Sequence, residues 1–178
     1  YMRFYALYHE GGVYMDTDVE ILRPLGELME LPAFTGYEAS MANAPVTGLM
    51  ASAPHGLWVK EQLAYYEGKH FVNPDGTLDL TPNTITIANI MVAGGFKIDG
   101  KYQVYKNDMH VFPVDYFCPL TSTRVLKLTK NTYCIHHFAG SWVEKTRGQL
   151  IKEWIVTHIL GRKLTDKIVQ LKRKLRHR

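Results

Sequence analysis

"GGVYMDTDVE", residues 11–20, sets two carboxylates one residue apart directly behind a double glycine, and its reading decides the fold. Just before it, "YMRFYALYHE" (1–10) places either Met2, Tyr5 and Tyr8 or Phe4, Leu7 and Tyr8 on one helical face. Gly11 or Gly12 supplies the natural stop, because glycine accepts the left-handed backbone that closes a helix. Behind the glycines, "VYMDTDVEIL" (13–22) is rich in β-branched and aromatic residues and reads as one strand, ended by Pro24. Helix, glycine turn and strand in that order form the opening unit of an α/β protein.

The rest of the chain repeats that alternation. Strands are expected in "AFTGYEA" (33–39) and in the small-residue stretch that ends at Ala53, with "LGELMEL" (25–31) as a helical turn. "HGLWVKEQLAYYEG" (55–68) has helical spacing, "NPDG" (73–76) is a turn, and "NTITIANIMVAGG" (83–95) reads as a helix closed by glycines. One or two short strands follow within 102–117, and "TYCIHHFAGSW" (132–142) reads as a strand entering a glycine loop. Residues 148–163 and 164–175 read as two final helices. Strands alternating with helices predict α/β, a mixed sheet flanked by helices. The expected division is one region over 1–160 and a basic amphipathic helix over 161–178.

Composition narrows the class. The net charge of +4 is concentrated: eight of the 21 Lys and Arg lie within 162–178, against one of the 17 acids. The body is therefore mildly acidic, and nothing calls for a nucleic-acid partner. No apolar run approaches the roughly 18 residues of a membrane span. Cys118 and Cys134 show no metal-binding spacing and read as buried free thiols, which suits a reducing, cytoplasmic setting.

The carboxylate pair carries chemistry. On a strand, residues i and i+2 share a face, so Asp16 and Asp18 converge. Like charges this close repel unless something cationic screens them. A hard divalent ion such as Mn²⁺ or Mg²⁺ accepts carboxylate oxygens and keeps positions open for phosphate oxygens. An EF-hand loop beginning at Asp16 would need glycine where Ile21 stands. An aspartyl phosphatase would carry Thr where Glu20 stands. Downstream, His136 and His137 offer imidazoles, and adjacent strand residues face opposite ways, so one at most joins a given site.

Taken together, the order R-x-x-x-L-Y-x-x-GG-x-Y-x-D-x-D-x-E, a mid-chain "NA" loop, and H-H-F-x-G-S-W closely resembles the sugar-binding region of glycosyltransferases that carry a DXD motif. It is similar to glycosyltransferase family thirty-two, which includes capsular-polysaccharide transferases and initiating mannosyltransferase relatives. The resemblance covers about residues 1–145. It implies a GT-A-like, Rossmann-like fold, a divalent cation, a UDP- or GDP-sugar donor and retention of anomeric configuration. It also implies an upstream nucleotide-binding half, so the chain is expected to be N-terminally truncated.

Carried over by position, the resemblance makes Asp18 the principal metal ligand and Asp16 a ribose contact or water-mediated ligand. His137 becomes the later metal or diphosphate ligand, with Ser141 and Trp142 closing over the diphosphate. Arg3 becomes the helix arginine that touches the donor, and Asn43 and Ala44 the loop lining the sugar pocket. No catalytic nucleophile is evident; Glu38, in "GYEAS", is the nearest acid to nominate. The function implied is transfer of a hexose to a glycan or lipid-linked acceptor, as in polysaccharide synthesis. Alternatives are a non-catalytic nucleotide-sugar or glycan-binding module and an aspartate-based sugar-phosphate phosphatase. Leu164, Ile168, Leu171 and Leu175 recur at helical spacing among lysines and arginines, a pattern suited to peripheral attachment on the inner, anionic membrane face.

Overall fold

The computed structural model describes residues 1–38, 44–46, 48–121 and 125–140, together with Gly148. Helix α1 (Met2–Glu10) buries Phe4 and Leu7. Gly11 ends it with φ +69°, donating its N–H to Leu7 O; a Cβ here would lie 2.6 Å from Pro54 Cδ. Both the backbone angle and the close approach require glycine.

Strand β1 (Gly12–Met15) follows, then β2 (Val19–Ile21), a 3₁₀ turn (Gly26–Glu30), β3 (Ala33–Gly36) and β4 (Leu49–Ser52). Helices α2 (Leu57–Ala64) and α3 (Asn83–Ala93) precede β5 (Gln103–Tyr105) and β6 (Met109–Phe112). A short α4 (Val114–Phe117) and β7 (Cys134–His136) complete the described elements. Five strands form a mixed sheet in the order β1-β4-β3-β6-β5, in which only β3 and β6 run parallel. β2 and β7 form a separate antiparallel pair.

The sheet is covered on both faces. Ala33 and Met50 face a cluster with Phe4, Trp58, Ile87 and Met91, contributed by the three longer helices. Phe34, Leu49 and Ala51 face a second cluster with Leu28, Phe117 and Tyr133. β3 and β4 are buried at every position, and the two hydroxyls they bury are satisfied: Thr35 Oγ1 donates to Leu49 O and Ser52 Oγ to Ala53 O, each at 2.8 Å. Phe4 meets Trp58 edge to face at 5.7 Å, joining α1 to α2. The expected mixed sheet flanked by helices is therefore present, and it is compatible with a GT-A-like fold.

One expectation is corrected. Residues 13–22 do not form one strand. β1 leaves the large sheet at Met15, the chain turns at Asp16–Asp18, and β2 joins β7 instead. The turn is closed by Val19 N–H donating to Asp16 O at 3.1 Å. Two smaller differences concern lengths: the 55–68 helix ends at Ala64, and 102–117 adds a helical turn to its two strands. Among the described residues no helix is long and apolar enough to cross a membrane. The expected helices after Gly148, and the division at residue 160, lie outside the described residues.

Candidate metal centre and substrate cleft

The turn between β1 and β2 holds the site. Asp16 N–H donates to Gly48 O at 2.7 Å, which fixes the turn against the entry to β4. On the far side, Val19 pairs with His136, and His137 N–H donates to Asp18 O at 2.9 Å. The small β2–β7 ladder thus brings a residue from the end of the described chain onto the DXD turn.

Each carboxylate divides its oxygens. Asp16 Oδ1 accepts the Tyr14 hydroxyl at 2.7 Å and lies 3.6 Å from Arg3 Nη2. Its Oδ2 lies 3.9 Å from His136 Nε2. Asp18 Oδ2 accepts Ala139 N–H at 2.8 Å, while its Oδ1 lies 3.4 Å from the same His136 nitrogen. One oxygen of each pair is tied to the scaffold and the other faces the imidazole. Asp16, Asp18 and His136 each offer a donor atom, all within 4.8 Å of one another.

Neighbours support this geometry. The Arg3 guanidinium lies over the Tyr14 ring at 4.7 Å, within cation–π range. Burial, and then the Asp16 carboxylate it donates to, hold the Tyr14 hydroxyl above its ordinary pKa, so it remains a donor. The His136 ring packs on Phe138 at 4.0 Å between centroids. Gly48 leaves the space that the triad uses: a Cβ there would sit 3.1 Å from Asp16 Oδ2 and 3.2 Å from His136 Cε1.

These residues fit a divalent cation. Two carboxylate oxygens and an imidazole nitrogen are the mixed O/N set that Mn²⁺-type ions accept. Among the described residues, the imidazole is the group the two inward carboxylate oxygens face, Asp16 Oδ2 at 3.9 Å and Asp18 Oδ1 at 3.4 Å, and a cation between them would relieve their mutual repulsion. Among the described residues the buried Nδ1 of His136 has no hydrogen-bond partner, so none of them fixes the ring's tautomer against ligation through Nε2. Around the triad, Arg3, Glu38, Asn83, Thr84 and Gly140 help line a cleft of about 660 Å³.

The structure sorts the sequence candidates. Arg3, Asp16 and Asp18 come together as expected, although the two aspartates converge through a turn and not through strand alternation. His137 does not join them. Its Nε2 lies 2.8 Å from Glu20 Oε2 on the exposed face, and His136 takes the inward position. The alternation of strand side chains allows only one of the two, and the register Val19↔His136 selects it. Glu38 is buried at the cleft wall, its N–H donating to Ala44 O at 2.9 Å. Ala44 is itself buried behind that bond and does not line the cleft. Asn43, Ser141 and Trp142 lie outside the described residues.

Sequence reasoning missed Gly48 and the start of α3. The signal for Gly48 is a glycine immediately before an apolar strand, in "TGLM". For Asn83 and Thr84 it is the Pro–Asn–Thr helix entry, a polar start to an apolar helix.

The family model described as glycosyltransferase sugar-binding region containing DXD motif matches residues 1–37, the stretch that holds Arg3, Asp16 and Asp18. No curated protein and no solved structure matches. The matched segment supports a glycosyltransferase-like family, with the aspartate pair as its DXD motif.

Proposed function

We propose that the chain is the donor-binding and catalytic part of a metal-dependent, retaining glycosyltransferase that uses a UDP- or GDP-sugar. The observation that carries this reading is the convergence of Asp16 Oδ2 and Asp18 Oδ1 on His136 Nε2 in the lining of a cleft, with both aspartates inside the stretch that the DXD family model matches. Asp16, Asp18 and His136 would hold the cation, Mn²⁺ or Mg²⁺. When bound, it supplies positive charge opposite the departing diphosphate.

The remaining steps belong to the chain's own residues. Arg3, anchored between Asp16 and the Tyr14 ring, adds a fixed positive charge on the same wall. Asn83 and Thr84, which line the same cleft, offer polar side chains for the donor sugar and its phosphates. The bond from the anomeric carbon to the phosphate oxygen breaks, and its electron pair leaves with the diphosphate. The anomeric centre becomes oxocarbenium-like. An acceptor hydroxyl then attacks on the same face and gives its proton to the leaving phosphate oxygen. Retention follows without a protein nucleophile. We assign Glu38, buried at the cleft wall, to orienting the acceptor.

The finer reading extends to family thirty-two, with hexosyl transfer to a glycan or lipid-linked acceptor in polysaccharide synthesis such as capsule formation. We assign catalysis to residues 1–160, with Asn43, Ser141 and Trp142 as further donor contacts. We assign the basic segment over 161–178 to peripheral attachment on the inner membrane face. The test is incubation with a panel of UDP- and GDP-sugars and Mn²⁺, with mass spectrometry and NMR of the products. Release of a sugar or glycoside with the donor's anomeric configuration, lost in Asp18→Ala, is the expected result. Inverted product, or turnover unchanged in Asp18→Ala, overturns the reading.

A further inference from the structure

A second cleft of about 560 Å³ adjoins the first, bounded by the end of α2, the loop over 69–81 and the start of α3. Asn83 lines both clefts. The walls of the second are aromatic. Tyr65 and Tyr66 meet edge to face at 5.1 Å, and Phe71 is 61% exposed at the rim. Polar groups share the lining: Lys69, His70, Asp79, Thr81 and Thr86 stand with Asn83 among the aromatic rings. Lys69 Nζ is held 3.8 Å from the centre of the Tyr65 ring, and Asp79 is fixed by accepting the Thr81 N–H at 3.0 Å.

Resting on the glycosyltransferase reading, we propose that this cleft is the acceptor subsite and that it binds a pyranose ring of a saccharide acceptor. A pyranose presents a patch of C–H groups on one face and hydroxyls around its edge. The electron-rich face of an aromatic ring attracts polarised C–H groups, and Phe71 offers such a face to solvent. The edge hydroxyls need both donors and acceptors, which Lys69 and Asp79 supply within the same lining. Aromatic side chains together with polar groups that fix orientation are the usual make-up of a small-molecule site. A flat nucleobase is less well served, because the two tyrosine rings stand at 87° and form no parallel slot. Asn83, common to both clefts, marks where the acceptor's hydroxyl meets the donor's anomeric carbon.

The experiment is saturation-transfer NMR on the full chain with methyl glycosides and disaccharides of glucose, galactose and mannose, followed by Phe71→Ala, Lys69→Ala and Asp18→Ala. Phe71→Ala should weaken binding of at least one saccharide about two- to tenfold, the range one aromatic contact supplies. Lys69→Ala should also weaken it, and Asp18→Ala should leave it unchanged. Phe71 is exposed, so its loss leaves the core intact. No binding of any saccharide overturns the proposal. So does binding that ignores Phe71→Ala but disappears in Asp18→Ala, which would place the sugar at the metal centre. Binding of uridine or guanosine in place of saccharide, sensitive to Phe71→Ala, overturns it as well. Saccharide binding at Phe71 without any Mn²⁺-dependent nucleotide binding supports the saccharide cleft and overturns the transfer reading, leaving a glycan-binding module.

Discussion

His136 Nε2 lies 3.4 Å from Asp18 Oδ1 because β7, which ends on His136, pairs with β2, which begins directly after Asp18, with Val19 directly opposite His136. A two-strand ladder of three residue pairs therefore decides which of two adjacent histidines reaches the DXD turn. The same ladder turns His137 outward to Glu20.

Single histidine variants separate these roles. His136→Ala should lower Mn²⁺ affinity by more than about 100-fold, beyond what loss of an outer hydrogen-bond partner costs. His137→Ala should lower it by less than about tenfold. Titration of Mn²⁺ followed by electron paramagnetic resonance reads both. A larger loss at His137 would contradict the register of the β2–β7 ladder.

Gly48 offers a test that changes no ligand. Alanine there would press its methyl against Asp16, Val19 and His136 at 3.1–3.2 Å. The neighbours must give by a few tenths of an ångström, and overpacking of this kind costs about 1–3 kcal/mol. Gly48→Ala should keep its circular dichroism spectrum, unfold at a somewhat lower temperature and bind Mn²⁺ about tenfold more weakly. Unchanged metal binding would mean that the triad does not close as the structure shows.

The sequence disclosed the chemistry of this site better than its geometry. Glycine stops and helical spacing read correctly because each is a local signal, and the aspartate pair lies in the stretch that the DXD family model matches. Phe4, Leu7 and Trp58 follow helical periodicity into the core, and α1 and α2 sit where that periodicity places them. The break after Met15 was hidden, because Tyr14 to Ile21 is uniformly compatible with strand and only the partners differ. β1 pairs with β4, whereas β2 pairs with β7 more than 110 residues away. Such long-range register decides between His136 and His137, and no local pattern in "IHHF" carries it. The same holds for Gly48 and Asn83, which matter through what packs beside them.

Glu38 tests the mechanism. Same-face attack needs no carboxylate nucleophile, so Glu38→Gln should keep more than about a tenth of the transfer rate, whereas losing a covalent nucleophile costs about 10⁴-fold or more. Single-turnover kinetics with the active donor sugar measures this. A loss on the larger scale, with a glycosyl adduct trapped on the wild-type chain, would replace same-face attack by double displacement.

The thiols supply a prediction about stability. Burial, reinforced by Cys118, pushes the Cys134 thiol from 9.0 up to about 12, and its S–H donates to Phe117 O. The native state thus keeps a proton that the unfolded state releases. This contribution is complete below pH 9.0 and is lost as pH rises towards about 12. Urea midpoints should fall more steeply over that interval in the wild type than in Cys134→Ala. Native protein below pH 9.0 should leave both cysteines unmodified by a thiol reagent, and denatured protein should expose both.

The central claim is that Asp16, Asp18 and His136 hold a divalent cation that a nucleotide diphosphate needs. Calorimetric titration of the full chain with UDP and then GDP, each with and without Mn²⁺, tests it most directly. The account predicts that one nucleotide binds only when Mn²⁺ is present and that Asp18→Ala and His136→Ala abolish the heat while His137→Ala retains it. Nucleotide binding that is equal without Mn²⁺, or that survives loss of Asp18 and His136, would contradict it.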